Sequence, residues 1–384
     1  MKPATTEFLR QRFTEYYRKE RIQAPPSVGE REFGFILFDP DSPEVRMRRH
    51  MGFGTSRELG EYIRSIVPAH GFYSSAYYAA PGAGTMAEKG WTGADLIFDL
   101  DADHLMRGPY RAMLDRVKEE TGKLLAMLAG ELGFAEREIH LVFSGGRGYH
   151  VHVREIAVRG WGSQERRELI DYVCGIGIDP GVLLPAAPEG DGGWKERYIS
   201  TISEYLLWLK GLGQEKGVEH LVKYPGIGEG RALKFFDSID DQLAGLGKRE
   251  YAPLLTNQVF IAISQKDGGK FRELLRGRAA LADEPVTTDT RRLIRLPTTL
   301  HGGTGLRVTP VPLGDFDSFD PLQDAVVFSD RKVKVDAAAN LSMEIQGNSY
   351  QIAKGTSAVP EALAVFLCAR GLAEVSGEDG RAPR

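Results

Sequence analysis

The chain has 384 residues, 42% of them hydrophobic, with 49 basic and 53 acidic side chains and a formal net charge of −4. That length supports a well-buried core and two structural units, while the charge excludes an overall basic field, so any contact with nucleic acid must be local or shared with a partner. Two cysteines, Cys174 and Cys368, exclude a disulfide framework and an all-cysteine zinc site, and no stretch approaches the roughly 18 apolar residues of a membrane span or resembles an apolar leader, which predicts a soluble, cytoplasmic protein.

From the N-terminus, TTEFLRQRFTEYYRKERI has helical spacing through Phe8, Leu9, Phe13 and Tyr16 or Tyr17, with Thr5 or Thr6 as the expected N-cap, and APPSVGE ends it. REFGFILFD and FYSSAYYAAP read as aromatic-rich strands on either side of a helix at SRELGEYIRSIVP. ADLIFDLD and IHLVFSGGRGYHVHV are further strands, and between them Gly108–Leu132 carries the apolar stripe Met113, Val117, Leu124, Leu125, Leu128 and Leu132 of a long amphipathic helix. A strand, a crossover helix and a returning strand are implied, which makes the N-terminal part an α/β (α+β) unit. After Val158 the pattern becomes helical, with ERRELIDYVCGI and ISTISEYLLWLKGL separated by the Pro- and Gly-rich DPGVLLPAAPEGDGGW, and short helices continue over 239–280. Residues 160–280 thus read as a mostly helical insertion, because RRLIRLP at 291–297 returns to strand alternation, and the tail from Ser376 reads as disordered.

Three stretches carry chemistry. In FDLDAD, strand alternation puts Asp99 and Asp101 on one face, their Cα atoms roughly 6.5 Å apart, a spacing that lets two hard oxygen donors bracket a pair of Mg²⁺ or Mn²⁺ ions; the plainer reading is a strand end whose carboxylates face water or pair with Lys and Arg. In SGGRGYH the glycines let backbone N–H groups approach an anion, Arg147 adds a planar cationic fork, and His150 and His152 face the same way; a glycine-rich hairpin turn with an exposed arginine is the alternative. In LIRLPTTLHGGTGL, Arg295 lies on the polar face of a half-buried strand and His301 opens another Gly-rich turn, with Asp283, Glu284 and Asp289 of DEPVTTD just ahead; a surface turn with a salt bridge would also explain it.

These stretches, in this order, resemble the catalytic (small) subunit of archaeal and eukaryotic DNA primases, and REFGF, RRHMGF and FYSSAYY extend the similarity over roughly residues 5–345. The resemblance implies a primase-type core of mixed or antiparallel sheets flanked by helices over 1–159 and 281–350, the helical insertion, and a C-terminal helix and disordered tail over 351–384. It implies that Asp99 and Asp101 are metal ligands and that Asp283, or failing it Asp289, completes the triad for two Mg²⁺ or Mn²⁺ ions. Ser144, Arg147, His150, Arg295 and His301 would hold the triphosphate of the incoming nucleotide, and Arg49 of RRHMGF would be a further contact. The implied partners are a primase large subunit, a single-stranded DNA template and NTPs or dNTPs, without a membrane. The chain departs from many relatives in having MRGPYRAMLDRVKEE, and no cysteine, where they carry a zinc knuckle, so no structural zinc is expected there. Gly146 also stands where some relatives have a second arginine.

Two other readings compete. A phosphohydrolase of the haloacid dehalogenase type also opens with D-x-D after an apolar strand, but it leaves SGGRGYH, Arg295 and His301 without a role. A non-catalytic nucleic-acid-binding subunit that keeps the fold is opposed by the intact Asp99, Asp101 and Asp283.

Overall fold

A computed structural model describes residues 1–38, 46–184, 192–266 and 269–376. The expected disorder of the tail therefore lies almost wholly outside the described residues. The fold is mixed α/β, and every named strand pairing among the described residues is antiparallel. By internal contacts the chain divides into one unit of residues 1–121, 134–168 and 282–384 and a second of 122–133 and 169–281.

The first unit holds the strands. β1 (Phe33–Leu37), β2 (Met47–Met51) and β3 (Pro68–Ser74) are followed by the pair β4 (Ala76–Tyr78) and β5 (Trp91–Ala94), then β6 (Leu96–Asp101), β7 (Ile139–Phe143), β8 (Gly148–Val153), β9 (Leu293–Arg295) and β10 (Thr309–Val311). One sheet has the order β2-β1-β3-β9 and another β10-β7-β8-β6. β6 and β7 run in the same direction, as the crossover through the helix Tyr110–Ala126 requires, but β8 lies between them. Phe98, Leu100, Tyr149, Val151 and Val153 are buried on this second sheet, while β6 keeps Asp99 and Asp101 half-exposed. The C-terminal part pairs β11 (Lys332–Ala337) with β14 (Gly355–Pro360) and β15 (Ala373–Val375), carries the hairpin β12 (Leu341–Ile345) and β13 (Asn348–Ile352), and packs them with the buried helix Glu361–Ala369.

The first helix spans Pro3–Lys19, which corrects the expected cap. Pro3 occupies the first turn, where its missing N–H costs nothing, so the helix starts before the threonines, and the Thr5 and Thr6 N–H groups both donate to the Lys2 carbonyl. Thr5 is instead buried, its hydroxyl accepting the Val375 N–H at 3.0 Å. The stretch FYSSAYYAAP is likewise two strands, broken at Ser75. That break has a use: the Ser75 N–H donates to Arg292 O and Ser75 O accepts the Asp95 N–H, which ties the two sheets together.

Beneath this junction Asp95 and Arg31 are fully buried and paired at 2.8 Å. Tyr77 Oη donates to Asp95 at 2.6 Å, Arg31 also donates to the Ser74 and Ser75 carbonyls, and Arg166 donates to those of Ala94 and Asp95. A buried ion pair is tolerable only when its remaining valences are filled in this way.

The second unit is helical, with Gly193–Gly211 as its longest helix and Ile202, Tyr205, Leu209, Phe260 and Phe271 in its core. No helix among the described residues is long and apolar enough to cross a membrane.

Candidate active site

β6 is an edge strand of the sheet β10-β7-β8-β6 and β9 an edge strand of the sheet β2-β1-β3-β9, and residues of both line one hollow. Asp99 and Asp101 line it from β6, as alternation requires, and Ser144, Gly146, Arg147 and His150 line it from the β7–β8 hairpin. From the other sheet and the segments before and after β9 come Phe72, Arg292, Arg295, His301 and Thr304. The register sets these positions: Asp99 is opposite His150 and Asp101 opposite Gly148, while Phe72 is opposite Arg295.

The hairpin must be made of glycine where strand and turn crowd. Gly145 has φ +75°, and a Cβ there would stand 2.8 Å from His301 Cβ. At Gly148 a Cβ would overlap the Leu100 carbonyl oxygen and stand 3.2 Å from Asp101 Cα. The turn is pinned by the Gly146 N–H donating to Ser144 Oγ at 3.2 Å, by Tyr110 Oη donating to Gly146 O at 2.5 Å, and by Thr304 Oγ1 donating to Gly145 O at 2.5 Å. Arg147 is held by an ion pair with Asp103, which gives the fourth carboxylate of ADLIFDLDADHL its place.

Arg295 lies over the Phe72 ring, 4.6 Å from its centroid, and its guanidinium donates to His70 Nδ1 at 2.5 Å and to His301 Nε2 at 3.0 Å. An imidazole can accept only when neutral, and burial, reinforced by Arg295, pushes His70 down to about 3 and His301 well below its ordinary value. On the other side of the ring, His301 Nδ1 lies 3.2 Å from the Gly303 N and 3.4 Å from Thr304 Oγ1. His150 is also pushed down to about 3 by burial and then by Arg295 and Arg292, so its 3.5 Å approach to Asp99 is a contact of a neutral ring with a carboxylate. Burial lowers Arg295 to about 10 against the raising effect of Asp99 and Asp101, which leaves it cationic at neutral pH.

Arg147, Arg292, Arg295 and Arg370 face two carboxylates in the lining, so the hollow is cationic in a chain of net negative charge. That balance suits a polyanion, with the carboxylates left for a divalent ion. Asp283 is not in the lining, but its N–H donates to Asp99 O at 2.8 Å, which sets it at the open edge of β6 as the N-cap of the helix Glu284–Thr288. Asp289 turns its carboxylate onto the Arg291 N–H at 2.8 Å. Among the described residues no three Asp, Glu, His or Cys side chains stand together as a finished metal cluster. The donor chemistry nonetheless fits Mg²⁺ or Mn²⁺: Asp99 and Asp101 are hard oxygen donors on one face of a strand, and Asp99 is 22% exposed toward the hollow.

Of the residues singled out from the sequence, Asp99, Asp101, Ser144, Arg147, His150, Arg295 and His301 meet in this hollow, and Arg49 does not. Arg49 is bound to the buried Glu32 carboxylate at 3.0 Å, beside Lys89. The sequence reading missed His70, Phe72, Arg292, Thr304 and Arg370. His70 and Phe72 had a signal, alternate positions on a strand beside an aromatic run; Arg370 had none.

A family model described as DNA primase small subunit matches residues 98–313, more than half of the chain. The DNA primase small subunit of Methanoregula boonei is 57% identical over 376 residues, covering 98% of this chain and all of the relative. That of Methanosphaerula palustris is 53% identical over 98% of this chain and 99% of the relative, and that of Methanosarcina acetivorans 37% identical over 97% of each. The chain belongs to the archaeal-type DNA primase small subunit family.

Proposed function

We infer that this chain catalyses template-directed primer synthesis, joining nucleoside triphosphates opposite a single-stranded DNA template, and that the hollow lined from β6 and β9 is where the bond forms. The observation that carries this reading is the meeting of three separated motifs, FDLDAD, SGGRGYH and LIRLPTTLHGGTGL, around one cationic hollow with two carboxylates.

In the reaction, the 3′-hydroxyl oxygen of the growing strand bonds to the α-phosphorus of the incoming nucleotide, the bond from that phosphorus to the α–β bridging oxygen breaks, and pyrophosphate leaves while the hydroxyl proton is lost. Asp99 and Asp101 would hold two Mg²⁺ or Mn²⁺ ions, with Asp283 as the third carboxylate because its main chain is tethered to Asp99; Asp289 is committed to Arg291. Such ions, when bound, lower the pKa of the hydroxyl and neutralise the leaving group. Arg147 and Arg295 offer planar donor pairs to the phosphate oxygens, and the Ser144 hydroxyl adds a neutral one. His301, its Nε2 occupied by Arg295, acts by fixing that guanidinium, and Phe72 supports it from below. His150 lies opposite Asp99 and orients that carboxylate. Arg49 remains a structural partner of Glu32 in this reading. A primase large subunit would supply further template and initiating-nucleotide contacts, in keeping with the net charge of −4.

The test is to incubate the purified chain with single-stranded template, labelled nucleotides and Mn²⁺ or Mg²⁺. Labelled oligomers are expected, and Asp101→Asn and Asp283→Asn abolish them without lowering the melting temperature, whereas Asp289→Asn retains them. Release of inorganic phosphate without oligomers, or normal synthesis by Asp101→Asn, would overturn the assignment.

A further inference from the structure

The helix Glu361–Ala369 lies outside the residues that the family model matches, yet it packs against Gly305 of one Gly-rich turn and against Tyr110, which holds the other. Gly305 has φ +72°, and any side chain there would collide with Val365 of this helix. Phe366, one position on, meets the Tyr110 ring edge-on at 5.1 Å between centroids, and Tyr110 is the residue whose hydroxyl holds the Gly146 carbonyl. The helix then ends with Arg370 at its C-cap, where a cation is favoured by the helix dipole.

Arg370 is exposed, as a helix-end arginine ordinarily is, but its surroundings give it a further use. It lines the hollow, its guanidinium lies 5.4 Å from the centroid of the Tyr110 ring, and no carboxylate among the described residues pairs with it. Several other arginines of the first unit are neutralised, Arg111 by Asp320 and Glu344, Arg12 by Glu15 and Glu361, and Arg49 by Glu32, whereas Arg295 and Arg370, both lining the hollow, meet no carboxylate among the described ion pairs. A planar cation resting on an aromatic face, with its donors unspent and a hollow in front of it, is prepared for an anion.

We propose that Arg370 is a further binding residue for the polyphosphate of the incoming nucleotide and of the departing pyrophosphate, held in place by Tyr110 as a positioning residue. The inference rests on the reading of the hollow as the nucleotide site. It makes the C-terminal helix part of the active site, since Tyr110 connects the same ring to the Gly146 carbonyl and to Arg370. The polyphosphate then meets Arg370 in addition to Arg147 and Arg295.

The experiment compares the full chain with Arg370→Gln and Arg370→Lys in template-directed synthesis, and measures inhibition by inorganic pyrophosphate. Arg370→Gln should raise the KM for nucleotide and the inhibition constant of pyrophosphate together by about tenfold, the worth of one charge-assisted hydrogen bond at a partly open site, with kcat and melting temperature near wild type. Arg370→Lys should recover part of both, because it restores the charge without the planar stack. If the wild-type chain makes primers and Arg370→Gln leaves both constants unchanged, the proposal falls while the nucleotide site stands. A drop in kcat alone, without rescue by lysine, would reduce Arg370 to a structural brace. If the wild-type chain synthesises nothing, the reading of the hollow fails and the proposal with it.

Discussion

Gly148 faces Asp101 across the β6–β8 ladder, and it is the position at which one methyl group should do most harm. A Cβ there would stand 3.2 Å from both Asp101 Cα and the Leu100 carbonyl carbon, and closer still to the Leu100 oxygen. Ordinary carbon–carbon contact is about 3.5–4.0 Å, so β6 must move by about half an ångström or more at the residue that carries a proposed metal ligand. β8 cannot yield instead, because Gly148 O accepts the Ser144 N–H at 2.9 Å and the strand is paired on both sides. Overpacking of this kind costs about 1–3 kcal/mol, and a displacement of about 1 Å at a reacting group can cost about a hundredfold in rate. Gly148→Ala should therefore lower primer synthesis by at least about tenfold, with a fall in melting temperature. The neighbouring Gly146→Ala is the control: its Cβ would meet only side chains, His301 Nε2 at 3.3 Å and Ser144 Oγ at 3.5 Å, so its loss should be far smaller. Rates and melting curves of the two variants, measured side by side, decide the matter. Wild-type behaviour of Gly148→Ala, or equal losses in both, would refute the claim that the spacing of this ladder governs the site.

Two further outcomes follow from buried charge. Asp95→Asn leaves the fully buried Arg31 without its counter-charge and should cost about 3–5 kcal/mol in denaturant titration; Arg31→Met combined with Asp95→Leu should recover much of that, and a double variant as unstable as the single one would show that packing rather than the stranded charge is responsible. In the C-terminal part, burial tends to raise the Glu361 carboxyl, but the Ser329 hydroxyl and N–H, with Arg12 and Arg331, hold it below its usual 4.5. A depressed carboxyl stabilises the fold above the unfolded-chain value and loses that contribution as pH falls through the folded one, so melting temperature should be insensitive to this group near neutrality and decline below about pH 4.5. Glu361→Gln should melt lower at pH 7 and show a shallower acid decline; an unchanged decline would assign the acid sensitivity to other carboxylates.

The four carboxylates of ADLIFDLDADHL show where local pattern ends. They look alike in the sequence, yet Asp95 is a buried partner of Arg31, Asp99 and Asp101 line the hollow, and Asp103 holds Arg147. The resemblance implied a triphosphate contact at Arg147 and, behind it, a further nucleotide contact at Arg49, but the buried Glu32 carboxylate binds Arg49, which does not line the hollow. Thr5, a good cap by composition, was overruled by a proline two residues earlier and by a strand 370 residues away.

Strand alternation and glycine placement depend only on neighbouring residues, and from these alone the shared face of Asp99 and Asp101 and the tight turn at 144–148 could be read. How Arg295 is held beside those carboxylates could not, because its partner His70 stands 225 residues away in the chain, and Arg370 arrives from a helix with no motif of its own. Such long-range contacts are chosen by the packing of two sheets and a helix as a whole, whose free energy leaves no periodic trace in any one segment.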